Sequence, residues 1–376
     1  MKIAYLIQGL HYSGGMERVI SAKASYLAEM GHSVTIVTTD GLGKEPYYTI
    51  HPDVVVKCFG LEYLADFSKG KLRQYLSFKA KQRNYRTLIR EFLSQAKFDI
   101  VISTFGTERY IVPTLKDGSV KIAESHFAKE YRTFRGRSGL FALLDRRRIR
   151  RDEKVASRYA SFVVLTHEDA AKWNSSNVVV IPNATSFLPK EVAELSQKRA
   201  IAVGRLTFQK GFDMLIKSWS LVNKNHPDWR LDIFGSGEDK SLLESIIHQF
   251  NLTGAVTIYP PTTTIQNELL NSGVYLLSSR LEGLPMVLLE AMSCGVPAVS
   301  FQCPTGPRDV IESGIDGVLV ENGNIQKFAE AVCRAIENDE LRVEMGKMAR
   351  RKIEEKFSVE PIMKKWIELF NSSLKR

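Results

Sequence analysis

Glu282 and Glu290 are the residues of this sequence most in need of a chemical explanation. They lie in SSRLEGLPMVLLEAMSCGVP (Ser278–Pro297), where every neighbour of Glu290 from Met286 to Met292 is apolar. A carboxylate buried without hydrogen-bond donors is costly. One reading is a half-exposed helix with a solvated acid. The other is a ligand that brings its own donors, and the vicinal hydroxyls of a ribose would give a carboxylate two hydrogen bonds. Pro285 suits a first helical turn and Gly295 a helix stop. That places Glu290 inside a helix and Glu282 in the loop before it, where it could hold hydroxyls of a sugar. The amides of Gly283, Leu284 and Met286 are then free at the helix start, facing phosphate.

Cations at matching places strengthen the second reading. In VGRLTFQKGFDMLI, Arg205 and Lys210 follow a strand-like run, and no acid precedes Asp213 in the loop. Two fixed cations there can neutralise a diphosphate without a metal. Taken alone, the pair reads equally as a solvated loop. Gly14 and Gly15 open another helix after the first strand, where backbone N–H groups can approach an anion. A tight turn explains a lone Gly-Gly as well, and the same holds for FGSGEDKS (234–241). No D-x-D motif and no His/Asp/Glu cluster at metal-ligand spacing occurs, so no metal or other cofactor is expected.

These residues need a scaffold, and the pattern supplies one. The 376 residues exceed one ordinary core, and 44% hydrophobic with 25% charged is a globular composition. Short Val/Ile-rich runs such as KIAYLIQ, SVTIVTT, WRLDIFG and VYLLSS alternate with amphipathic helices at 16–30, 211–222 and 240–250. That alternation implies parallel sheets covered on both faces, in two doubly wound domains. The boundary is expected within 183–199, giving domains 1–184 and 185–359. Four scattered cysteines without a C-x-x-C point to reduced thiols and a cytoplasmic protein. The N-terminus reads as a first strand, not a signal peptide. No run approaches the ~20 apolar residues that cross a bilayer.

In this order, SGGMERV, ESH (124–126), VGRLTFQKG, IFGSGED, EGLPMVLLEAMSCGVPAVS and DGVLVENGN resemble the family-four retaining glycosyltransferases of the GT-B fold, over almost the whole chain. The resemblance implies two Rossmann-like domains with parallel sheets facing across a central cleft. The N-terminal one would bind acceptor and the C-terminal one the nucleotide-sugar donor. A C-terminal helix, about 360–376, would return to the first domain. It further implies that Gly14 and Gly15 approach the donor diphosphate and that Arg205 and Lys210 bind it. Glu282 would contact the donor sugar, Glu290 hold the ribose and His126 sit beside the transferred sugar; apart from the family, His126 reads as a satisfied core histidine. One departure is IYPPTTT, where relatives have Phe-x-Gly: Pro261 lacks an N–H that could meet the base.

The expected activity is retaining transfer of a hexose or N-acetylhexosamine from a uridine diphosphate sugar to a growing lipid-linked or cell-surface glycan. An acceptor on a polyprenyl diphosphate fits. The implied chemistry has no protein nucleophile, and the leaving phosphate takes the proton. A nucleotide-sugar epimerase on the same architecture is the alternative. A nicotinamide oxidoreductase is disfavoured for want of G-x-G-x-x-G after strand one. The net charge is +10, with +8 in residues 69–90 and +7 in 129–158, so the remainder is −5. Without a nucleic-acid-binding module, that basicity points to no nucleic acid. It is expected to meet an anionic membrane surface on the inner face of the cell membrane. Leu72, Tyr75, Leu76, Leu88, Ile89 and Phe92 recur at helical spacing in the first stretch; an ordinary surface helix packed on its sheet accounts for them as well.

Overall fold

The computed structural model describes residues 1–66, 70–131, 133 and 139–375. Positions 69, 132 and 134–138 of the two basic stretches, and the side chain of Leu72, lie outside the described residues. The chain forms two compact units. One comprises Met1–Val164, Ala170–Ile181 and Met363–Arg376, and the other Leu165–Asp169 and Pro182–Ile362.

The first unit contains β1 (Lys2–Ile7), α1 (Gly15–Glu29), β2 (Ser33–Thr38), β3 (Val55–Cys58), α2 (Lys71–Ala96), β4 (Ile100–Ser103), β5 (Val120–Glu124), α3 (Gly139–Ala156), β6 (Ser161–Val164) and β7 (Val178–Val180). A short helix, α4 (His167–Ala170), passes between the units. The second unit holds β8 (Arg199–Val203), α5 (Phe212–Asn225), β9 (Arg230–Phe234), α6 (Lys240–Gln249), β10 (Val256–Tyr259), α7 (Ile265–Leu270), β11 (Val274–Leu277), α8 (Met286–Ser293), β12 (Ala298–Phe301), α9 (Pro307–Val310), β13 (Gly317–Val320), α10 (Ile325–Glu337) and α11 (Asp339–Lys352). The last helix, α12 (Val359–Leu374), runs from the second unit into the first.

All pairings are parallel, in the orders β3-β2-β1-β4-β5-β6-β7 and β10-β9-β8-β11-β12-β13. The chain reverses direction across each sheet beside its first strand, between β1 and β4 and between β8 and β11. Such a switch point opens a crevice at the strands' carboxyl ends. The expected doubly wound architecture is therefore present twice. Alternate residues of β8 face opposite ways. Ala200 and Ala202 join the core with Leu215, Trp219 and Phe328, while Ile201 joins Leu288, Leu289 and Met292 on the α8 side.

Three details differ from the pattern reading. β3 has no place among the expected strands: it is an edge strand whose Val55 and Val56 are exposed, and its apolar run, Val54–Val56, is cut short by Lys57. Pro285 caps α8 with extended backbone (ψ 96°) instead of filling its first turn. The unit boundary falls at Ile181/Pro182, and residues 165–169 belong with the second unit. The cause of the latter is local: the N–H of His167 donates to Asp309 at 2.5 Å, tying α4 to α9. In α2, Tyr85, Ile89 and Leu93 are buried in the core while Tyr75, Leu76 and Phe78 are exposed, so half of the helix packs as an ordinary surface helix and half does not.

Candidate functional site

In the second unit, the loops after β8 and β11 meet at the switch point. The β8 loop passes Arg205, makes a 3-10 turn over Phe208–Lys210 and leaves through Gly211 at φ 65°. A Cβ on Gly211 would stand 2.2 Å from the Ser278 carbonyl, so only glycine allows this approach. The Ser278 hydroxyl donates to the Lys210 carbonyl at 3.0 Å, and the Arg280 N–H to the Gln209 carbonyl at 2.8 Å. The Arg280 guanidinium grips Asp213 through two bonds of 2.8 and 2.7 Å and donates to the Phe208 carbonyl at 2.7 Å. Burial would raise the Asp213 carboxyl, but Arg280 holds it below its ordinary value. This bidentate pair is geometrically specific.

The clamp sets Lys210 against Glu282. Lys210 Nζ lies 2.7 Å from Glu282 Oε1, and the Ser279 hydroxyl donates to the same oxygen at 2.5 Å. Among the described residues no protein donor reaches Oε2. Glu282 is held from behind too: its N–H donates to the Pro304 carbonyl at 2.9 Å, and the Thr305 hydroxyl to its carbonyl at 2.9 Å and to that of Gly283 at 3.0 Å. Glu290 is buried one element deeper, in α8. Tyr275 on β11 is raised well above a tyrosine's ordinary value by burial and then by the charges of Glu282 and Glu290. Leu284 is buried and Gly283 half-buried; the amides of Gly283, Leu284 and Met286 donate to nothing among the described residues. Arg205 is exposed and makes no ion pair there.

The structure thus joins Lys210 to Glu282, which the sequence placed on different parts of a ligand. Arg280 and Asp213 act through position, and Ser279 and Thr305 orient Glu282. Arg280 could have been noticed as Glu282's near neighbour, whereas Thr305 leaves no spacing signal. The Gly-rich FGSGED turn takes its plain reading. A Cβ on Gly235 would meet the Gly204 carbonyl at 1.9 Å, so the glycine allows the two loops to pack.

In the first unit, Gly14 caps α1 and Gly15 begins it. A Cβ on Gly14 would lie 2.1 Å from Glu17 Oε2, while one on Gly15 would meet nothing. The ring of His126, after β5, is buried, with neither nitrogen hydrogen-bonded among the described residues. Its Nε2 faces Glu124 Oε1 at 3.6 Å, and Glu124 Oε2 pairs with Lys23 Nζ at 2.5 Å. Lys23, on α1, lies 3.5 Å from the centre of the Trp366 ring of α12. Burial lowers Lys23 and would raise Glu124, yet Lys23 and then His126 hold Glu124 down to about 2. Lys23, Glu124 and Glu17 were not candidates in the sequence.

Two family profiles cover most of the chain: "Glycosyltransferase Family 4" matches residues 13–186 and "Glycosyl transferases group 1" matches 185–352. An uncharacterized glycosyltransferase of Haemophilus influenzae is 28% identical over 97% of this chain and 98% of that one. The amylovoran biosynthesis glycosyltransferase AmsD of Erwinia amylovora is 29% identical over 98% and 99%. Among solved structures, a point mutant of Staphylococcus aureus TarM, crystallised with fondaparinux, alpha-GlcNAc-glycerol and UDP, superposes with a TM-score of 0.78 at 20% identity, over 99% of this chain and 100% of that one.

Glu124 makes a prediction about acid stability. Its folded value, about 2, lies below the ordinary 4.5. Its contribution is therefore present above the ordinary value and lost as pH falls through the folded one. Urea unfolding at stepped pH should show stability falling between pH 4.5 and 2. Glu124→Gln should flatten that slope; an unchanged slope would remove the Lys23–Glu124 pair as its cause.

Proposed function

We propose that this chain, which belongs to the glycosyltransferases of the GT-B fold, moves a hexose or N-acetylhexosamine from a uridine diphosphate sugar to a growing lipid-linked or cell-surface glycan, with retention of anomeric configuration. The observation that carries the reading is the Lys210–Glu282 pair at the switch point, with Glu290 buried in the helix behind it. Lys210 and Arg205 supply positive charge for a departing diphosphate, aided by the amides at Gly283 and Leu284, which donate to nothing among the described residues. The free oxygen of Glu282 accepts from a sugar hydroxyl, and Glu290 accepts from a ribose. Gly14 and Gly15 lie at the positive end of α1, where the diphosphate would approach. His126 is assigned to the transferred sugar.

In the step itself, the acceptor hydroxyl oxygen bonds to the anomeric carbon as the bond from that carbon to the diphosphate oxygen breaks. The proton passes to the leaving diphosphate, so no protein base or nucleophile is needed. Glu282 and Glu290 do not act as a glycosidase's acid and base, since they serve different parts of the donor. The fixed cations take the part that a divalent metal plays elsewhere. A glycan acceptor is supported by the likeness to AmsD. Nothing in the comparisons supports the epimerase alternative.

The basic stretches support a second proposal, attachment to the inner face of the cell membrane. On α2, exposed Tyr75, Leu76 and Phe78 stand among Arg73, Lys79 and Lys81. On α3, exposed Phe141, Leu143 and Leu144 precede Arg146, Arg147 and Arg148. Exposed apolar side chains beside clustered cations suit an anionic lipid surface. No helix of the described residues is long and apolar enough to cross a membrane.

Two outcomes are expected. Losing one donor to a developing oxyanion costs about 2.7–4 kcal/mol, or about 10²–10³ in rate. Lys210→Ala should lower turnover of UDP-sugar by that order, and the wild-type rate should survive EDTA. Activity lost to EDTA and restored by magnesium or manganese would refute metal independence. In flotation, more protein should rise with phosphatidylglycerol vesicles than with phosphatidylcholine; equal recovery would end the membrane reading.

A further inference from the structure

Beside the switch point, β9 ends at Phe234 and β10 at Tyr259, partners in register. Their rings stack with centroids 4.9 Å apart and planes inclined by 17°. Phe234 is 6% exposed and belongs to the apolar cluster of Leu284, Leu288 and Leu289 on the α8 side of the sheet. Tyr259, on the edge strand, remains 37% exposed. A buried ring therefore backs a second ring that stays open to solvent at the carboxyl edge, on the Glu290 side of the sheet.

Two carbonyls next to that ring are already used, and two backbone donors are missing. The Tyr259 carbonyl accepts from Gly235 N–H at 2.9 Å, and the Phe234 carbonyl from Gly204 N–H at 3.0 Å. Pro260 and Pro261 have no N–H. The hydroxyls of Thr262 and Thr264 bond to each other at 2.9 Å. This edge presents a flat aromatic face and no backbone N–H donor at 260–261 to read the rim of a heterocycle.

We propose that Tyr259 is the platform on which the donor's nucleobase stacks, so that the base is held by its face and not selected by its edge. The inference rests on the donor reading above, in which Glu290 of α8 holds the ribose; Phe234 packs with Leu288 and Leu289 of that helix, and Tyr259 stacks on Phe234. Stacking on an aromatic side chain tolerates different bases, because every base has a π-face. The donor site would then discriminate nucleotides through the ribose and diphosphate far more than through the base.

Calorimetry with UDP, GDP and inorganic pyrophosphate tests this on wild-type protein, Tyr259→Ala and Tyr259→Phe, with thermal unfolding confirming that each variant is folded. Wild type should bind UDP and GDP within about tenfold of each other. Tyr259→Ala should weaken both by roughly 5- to 100-fold and leave pyrophosphate affinity unchanged, while Tyr259→Phe should match wild type. UDP affinity unmoved in Tyr259→Ala, or a wild-type preference for UDP beyond about 100-fold, would overturn the stacking proposal and leave the donor reading standing. Wild type that binds none of the three would overturn both.

Discussion

Everything assembled at the carboxyl edge of the second sheet depends on one half-buried fork, the Arg280 guanidinium on the Asp213 carboxylate. Arg280 belongs to the loop after β11 and Asp213 to the first turn of α5, so their pairing fixes two loops that sequence separates. The backbone bonds from Arg280 to Gln209 and from Ser278 to Lys210 close the same seam. An exposed ion pair contributes little, but a bidentate one that is half-buried and reinforced on both sides holds a geometry. The geometry it holds is the 2.7 Å approach of Lys210 to Glu282. A cation kept beside a carboxylate by other residues is ready for charge arriving on a ligand, with little reorganisation at the moment of reaction.

The first unit uses the opposite arrangement. There the ion pair itself is buried: Lys23 on Glu124, with Trp366 on one side and the His126 ring on the other. Removing one partner of a buried pair is costly because the other is left uncompensated. The pair thus ties α1, β5 and α12 into one body and sets the ring that follows β5. Positioning in one unit comes from a clamp beside Lys210 and Glu282, and in the other from a buried pair beside His126.

Much of this was legible in the chain. Periodicity gave both doubly wound halves, and a lone acid among apolar residues singled out Glu290. Contacts were not legible, because they depend on which loops the sheets bring together. Lys210 and Glu282 each stood out, yet nothing in their spacing announced that they touch. Lys23 gave no signal at all, since a lysine in an amphipathic helix reads as solvated until Glu124 and Trp366 are placed around it. β3 was lost because its run of three valines is short and broken by Lys57, and α2 because one periodic pattern covers a packed half and an open half. The glycines of VGR and FGSG were ambiguous in sequence. The 1.9 Å approach of a Cβ on Gly235 to the Gly204 carbonyl gives that glycine a packing role.

The account stands most directly on the fate of the anomeric carbon. Wild-type protein can be incubated with α-linked UDP-hexoses in the absence of acceptor, and the slow release of free sugar followed by proton NMR before mutarotation blurs it. A donor held by the second unit and attacked on the face from which diphosphate leaves should release the α-anomer first. Initial release of the β-anomer would contradict retention and the chemistry assigned to Lys210 and Glu282.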